Sequence, residues 1–221
     1  YTIPDIIIPS KIQKMPDGTV GFPIEVHNLY GEPYREPIQA RFIYSVDGGR
    51  TFDRASMIPH PADFLAGDAR CTFDTEGNMT IFFWGYDLAH MKDLEVHRSQ
   101  TRDSGKTFDP VSPILLKKQI TSPFYVDREN FLCIYQERFS DRPGIKAMLS
   151  HDGGYSWDEG SVAELYTCQG TPDSENAFQG FDQYKFGYST LTRISGNSAL
   201  ATYWNSNGPT TCISACRIEV R

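Results

Sequence analysis

The sequence predicts an all-β fold assembled from repeated sheet units, and three observations predict it. The first is a threefold repeat: Ser45-Val46-Asp47-Gly48-Gly49-Arg50-Thr51-Phe52, Thr101-Arg102-Asp103-Ser104-Gly105-Lys106-Thr107-Phe108 and Ser150-His151-Asp152-Gly153-Gly154-Tyr155-Ser156-Trp157 share the pattern Ser/Thr-x-Asp-x-Gly-x-Thr/Ser-aromatic. Their aspartates lie 56 and 49 residues apart, too far for one hairpin and right for one four-stranded propeller blade. The second is a set of turn-forming clusters, each placed just before a strand-like run. The third is the near absence of helix signals: the 14 Pro and 18 Gly fall every few residues, and no segment sustains a helical period between caps. Together they predict a β-propeller with about four blades in this chain.

The elements follow in order. Pro16-Asp17-Gly18 precedes the run Val20 to Val26, and Thr75-Glu76-Gly77-Asn78 precedes Met79 to Trp84. Asp127-Arg128-Glu129-Asn130 precedes Phe131 to Tyr135, and Ser195-Gly196-Asn197 precedes Ala199 to Trp204. In the first three units a repeat motif follows, so each reads as hairpin, connector, hairpin; the fourth has no motif after it. Within the motif, the aspartate accepts backbone N–H groups ahead of it, the glycine supplies a positive φ and the Thr/Ser hydroxyl returns a bond. Asp47, Asp103 and Asp152 are therefore expected to stabilise turns on the rim, with Phe52, Phe108 and Trp157 entering the blade core.

Composition narrows the function. With 221 residues, 39% apolar and 22% charged, and with 14 Phe, 12 Tyr and 3 Trp, the chain can bury a core and is not disordered. A net charge of −7 without blocks of like charge argues against nucleic acid or an anionic membrane as partner. The longest apolar runs are strand-sized, so no transmembrane helix fits. Five Cys make an odd number, too few for a disulfide framework. Cys212 and Cys216 fall four apart on a predicted strand, about 13 Å from each other, which excludes a shared zinc or disulfide. All five are expected to be small buried apolar side chains. His90 and His97 lack a third partner at ligand spacing, so no metal and no cofactor is expected.

The repeats resemble the Asp-box repeats of the sialidase-like six-bladed propellers over nearly the whole chain. Two further stretches carry the resemblance. Phe131 to Phe139 followed by Gly144 to Ser150 is similar to the segment that carries a carboxylate-binding Arg before an Asp-box. Phe186-Gly187-Tyr188-Ser189-Thr190-Leu191 with Ala199 to Trp204 is similar to the segment that carries the sialidase nucleophile. The chemistry fits those residue types: sialic acid bears a carboxylate at its anomeric carbon, so a neutral phenol avoids the repulsion an Asp or Glu nucleophile would meet. Guanidinium groups clamp the carboxylate through bidentate bonds. The resemblance implies Tyr188 as nucleophile, Arg138 as a clamp, a carbohydrate partner and a secreted or periplasmic location.

The sequence also departs from that family. Tyr1-Thr2-Ile3-Pro4 has Thr where the first clamp Arg belongs, Ile120-Thr121-Ser122-Pro123 lacks the activating acid, and no Arg lies between Arg142 and Arg193. Trp204-Asn205 stands where a Glu usually closes the nucleophile segment. These departures imply another sugar specificity or a non-catalytic carbohydrate- or protein-binding propeller. Tyr1 in place of an initiator Met leads to the further expectation that residues 1–221 are the C-terminal portion of a six-bladed domain.

His60 to Arg70 joins one unit to the next, where an innermost strand begins. Asp68 and Arg70 alternate onto one face there, as a catalytic acid with a sugar-binding base or as a structural ion pair. Asp63 and His60 are weaker candidates beside them. Glu137 and Arg138 point to opposite faces, so only one of these two substrate-binding candidates lines a pocket. Trp84, Tyr86 and Trp204 either stack on sugar rings or fill the core. The resulting expectation is an exo-acting glycoside hydrolase with its pocket at the propeller centre, Tyr188 and Asp68 catalytic, and Arg138, Arg70, Glu137 and Trp204 binding substrate.

Overall fold

The structure is a computed structural model that describes residues 6–7, 10–26, 39–138, 140–168, 184–207 and 209–221. The described residues contain no helix, and every strand pair is antiparallel. The chain divides into two compact units, Tyr1–Pro113 and Ile114–Arg221. Tyr1-Thr2-Ile3-Pro4 and Phe139 lie outside the described residues.

The first unit holds two sheets. In one, β1 (Ile6–Ile7) and β2 (Gln13–Lys14) pair with opposite ends of β3 (Val20–Val26), followed by β4 (Gln39–Ser45) and β5 (Arg54–Met57). The other runs β6 (Phe64–Phe73), β7 (Met79–Asp87), β9 (His97–Thr101) and β10 (Ser112–Pro113), with β8 (Lys92–Asp93) added to β7. The second unit holds β11 (Gln119–Tyr125), β12 (Phe131–Glu137), β13 (Gly144–Ser150) and β14 (Asp158–Thr167) in one meander. Its other sheet is β15 (Phe186–Ser195), β16 (Ser198–Asn207) and β17 (Thr210–Glu219), three strands where four were expected. The four turn clusters each close the hairpin from first to second strand, as the sequence predicts. In three of them an aspartate holds the turn: Asp17 Oδ1 accepts Thr19 N, Asp74 Oδ1 accepts Glu76 N and Asn78 N, and Asp127 Oδ1 accepts Glu129 N and Asn130 N.

The repeat motifs form the turns that follow β4, β9 and β13. Asp103 Oδ1 accepts Lys106 N at 3.1 Å and Thr107 N at 2.8 Å, and Thr107 Oγ1 donates to Oδ2 at 2.6 Å. Asp47 and Asp152 make the same bonds. Bonds from Ser45 and Thr51 hold the Asp47 carboxyl far below the usual range. At Asp152 slight burial pushes upward, but bonds from Ser156, Ser150 and Tyr155 N win and bring it to about 2. Gly105, at φ +83°, lies so close to the Phe42 ring that a Cβ would sit 2.5 Å from it. The motif aromatics differ in depth. Phe108 is buried against Phe42, 5.7 Å between rings, whereas Phe52, tilted at 52° against Phe22, and Trp157 stay half-exposed.

Phe42, Phe64, Met79, Ile81 and Phe83 fill the core of the first unit, and Phe124, Leu132, Ile134, Ala147 and Leu191 that of the second. All five cysteines are free thiols. Burial holds for Cys133 and Cys168 only; Cys212 is exposed and Cys71 and Cys216 are half-buried. The outermost position of β17 explains the last strand's exposure, since it pairs with β16 alone among the described residues.

Replacing Asp103 by Ala leaves the Lys106 and Thr107 amides without their acceptor, and is expected to destabilise the protein by about 1–2 kcal/mol after screening by solvent. Asp103 titrates below its ordinary value: burial opposes this, and bonds from Thr107, Thr101 and Lys106 outweigh it. A depressed carboxylate stabilises above its unfolded pKa and loses that contribution as pH falls, so the wild-type advantage over D103A in urea melts shrinks below about pH 4.

Candidate functional site

Sheet register positions the candidate residues. In three sheets the first two strands slip at the same place: Gly67 pairs with Trp84 but Arg70 with Phe82, Gln119 with Gln136 but Ser122 with Ile134, and Gly187 with Trp204 but Thr190 with Thr202. Each slip is a β-bulge in which two residues face one: Asp68-Ala69, Ile120-Thr121 and Tyr188-Ser189. Two of the bulges carry strain. Asp68 has φ 49° and Tyr188 φ 48°, in the left-handed region that costs an ordinary residue about 1–2 kcal/mol. The glycine before each is required by an indole: a Cβ would lie 3.1 Å from Trp84 Cε3 at Gly67 and 2.9 Å from Trp204 Nε1 at Gly187. Trp84 is buried, with Nε1 donating to Asp93 Oδ1 at 2.8 Å. Trp204 is half-buried.

In the first unit Asp68 sits within a charged trio. Arg70 Nη2 reaches Asp68 Oδ1 at 3.5 Å; the Asp68 side chain is 27% exposed and that of Arg70 6%. They meet through the bulge rather than by plain strand alternation. The third member, Glu25, is buried on β3 and accepts the Asp68 N–H at Oε1. Burial pushes the Glu25 carboxyl well above the usual range and the Asp68 charge adds to this, while the Asp68 and Ala69 amides and Arg70 offset only part. Sequence reading missed Glu25. A countable signal existed, because Glu25, Trp84, Gln136 and Trp204 are each the sixth residue from Val20, Met79, Phe131 and Ala199, the residues at which the second-strand runs begin.

His60 and Asp63 lie apart from that trio's bonds. Ala40 N donates to His60 Nε2 at 3.2 Å and His60 Nδ1 lies 2.8 Å from Pro61 O, which fixes a neutral ring as a structural link. Asp63 is exposed, and its carbonyl accepts Leu88 N. Tyr86 is buried 5.7 Å from Trp84, ring to ring.

In the second unit Tyr188 is 52% exposed on its bulge. Arg138 is 7% exposed, its guanidinium 3.9 Å from the centre of the Tyr184 ring and 6.0 Å from that of Phe186. Glu137 binds Lys118 at 2.5 Å and also Lys146. Burial raises its carboxyl, but the two ammonium groups outweigh that and hold it below the usual range. Ser122 Oγ donates to Ser189 O at 2.7 Å, tying the β11 bulge to the β15 bulge. Asn205 is buried and donates to Ser214 Oγ. No group of three or more His, Cys, Asp or Glu among the described residues has the arrangement of a metal site.

Successive sheets of consecutive antiparallel strands, repeated along the chain, are the build of a β-propeller. No protein-family model and no curated protein matches the sequence. Solved structures do match in fold. A protein of unknown function from Dyadobacter fermentans aligns with a TM-score of 0.68 at 17% identity, over 95% of this chain and 52% of its own. A Hadza microbial sialidase aligns at 0.67 and 11%, over 98% and 46%. The Penicillium chrysogenum α-L-arabinanase, solved with arabinobiose, aligns at 0.57 and 15%, over 98% and 63%. The chain thus has the propeller fold of sialidases and arabinanases, and spans about half the length of the first two structures.

Strain at Tyr188 gives an ordering to check. Glycine normally weakens a strand relative to alanine, but at φ 48° the order inverts. Tyr188→Gly is expected to be more stable than Tyr188→Ala by about 1 kcal/mol in chemical denaturation.

Proposed function

We propose that this chain belongs to a glycan-active propeller of the Asp-box type, an exo-acting glycoside hydrolase of non-standard specificity. The observation that carries this reading is the Asp68 carboxylate, held in a strained bulge, partly open to solvent and backed by buried Glu25 and Arg70. Strain and buried charge of this kind are kept where chemistry uses them. In this reading Asp68 is the acid/base, transferring a proton to or from the glycosidic oxygen. Tyr188, exposed on the corresponding bulge of its own sheet, is the nucleophile; Arg70, Arg138 and Trp204 contribute to sugar binding. Likeness in fold to a sialidase and an arabinanase supports carbohydrate as the substrate class.

The test uses the full-length protein and a panel of aryl glycosides that includes sialosides and arabinosides. Release of the aryl group is expected from at least one, with kcat/KM lowered about 10²–10⁴-fold in both Asp68→Asn and Tyr188→Phe. A wild-type protein that binds glycans on an array yet cleaves none of the panel overturns the hydrolase and leaves a binding propeller.

A further inference from the structure

The sixth residue of the second strand shows what a blade itself requires. Trp84, Gln136 and Trp204 occupy that place opposite their bulges without charge, so an indole or an amide suffices for the sheet. The first sheet instead carries a carboxyl, Glu25, at 6% exposure. A carboxyl is costly to bury, and an uncharged glutamine fills the same place in the third sheet. Glu25 also lies against the one bulge whose strained residue is itself an acid. Its carboxyl takes the N–H groups of Asp68 and Ala69, the two residues that the slip leaves out of the β6–β7 register. Arg70 lies against Asp68 and attracts the charge of Glu25.

We propose that Glu25 is the positioning residue of Asp68: it accepts the Asp68 amide, holds the bulge that projects the Asp68 carboxyl beside Arg70, and lies near enough for each carboxyl to feel the charge of the other. The role in catalysis rests on the reading of Asp68 as acid/base. Two carboxyl groups joined this closely through the Asp68 amide bind their last proton as a unit. The charges acting on Glu25 come from β6, Asp68 repelling and Arg70 attracting. Across β4 its pairing partner is Ala40, whose amide is bonded to the neutral ring of His60, and Lys11 feels the charge of Arg70. Burial favours the neutral form of Glu25, in keeping with a proton retained there above the ordinary carboxylate range.

The test is carboxyl-carbon NMR of Asp68 in the full-length protein against pH, in wild type and Glu25→Gln. The substituted glutamine keeps an oxygen for the Asp68 amide and loses the titration. The wild-type Asp68 signal is expected to report a second inflection, that of Glu25 above the ordinary carboxylate range, which E25Q lacks. Where hydrolysis is found, the pH–rate profile of E25Q loses the limb at that second inflection. Glu25→Leu, which removes the acceptor, is expected to speed hydrogen exchange of the Asp68 and Ala69 amides about tenfold or more. Identical Asp68 titration curves in wild type and E25Q overturn the proposal. A protein that cleaves no glycoside but shows the two inflections overturns the hydrolase while leaving the coupling of Glu25 to Asp68 standing.

Discussion

A carboxylate accepting two backbone amides three and four residues ahead of it is the bond set on which three of the four sheets depend. In the turns of Asp47, Asp103 and Asp152 it closes the loop after the third strand, and the first residue of each motif, Ser45, Thr101 or Ser150, pairs with the residue that opens the second strand, Val20, Met79 or Phe131. The strand partners are thereby locked in register, because a slip by one residue would turn every apolar side chain to the wrong face. From that anchor the count to the sixth residue is the same in the sheets of β3, β7 and β12, and in the last two that residue, Trp84 or Gln136, pairs with the first strand at the edge of its bulge. A rim turn made by local chemistry thus sets, through strand pairing, the register in which the Asp68 bulge stands.

The bulges concentrate both strain and unusual electrostatics. Ordinary strand geometry would direct Asp68 and Tyr188 by simple alternation; the positive φ of each re-aims the side chain instead. Glycine before each bulge lets an indole lie on the backbone and hold the distortion. At Asp68 the buried Glu25 supplies hydrogen bonds to the amides of the distorted segment, and its own charge state becomes sensitive to that of Asp68. The positive φ at these positions costs stability that the proposed chemistry would account for.

The departures from the sialidase pattern have a physical counterpart in the second unit. Arg138 is packed on the Tyr184 ring, and Glu137 is held between two lysines. These contacts give both residues packing and ion-pair roles that need no ligand. Gln136, between the chain neighbours Tyr135 and Glu137, shows how the equivalent of Glu25 looks when no acid is placed there.

Much of the fold was legible in the sequence because its signals are local. The repeat motifs bond within four residues of their aspartates, so residue type and spacing reveal the turn, and the turn reveals the hairpin. Asp68 and Arg70 were legible as a pair for the same reason, two residues apart on one strand. Glu25 was not, since its bond to Asp68 joins residues 43 apart, and only the packing of β3 against β6 brings them together. The bulges escaped as well: Gly-Asp and Gly-Tyr read as ordinary strand until the partner strand shows its register. The exposure of Cys212 escaped because it depends on which strand ends the sheet. Short-range hydrogen bonding and residue patterning were enough to set the all-β class, the turns and the order of the strands. Which carboxyl meets which amide was settled by the assembled sheets alone, because burial and long-range pairing belong to the packed strands and not to any stretch of chain.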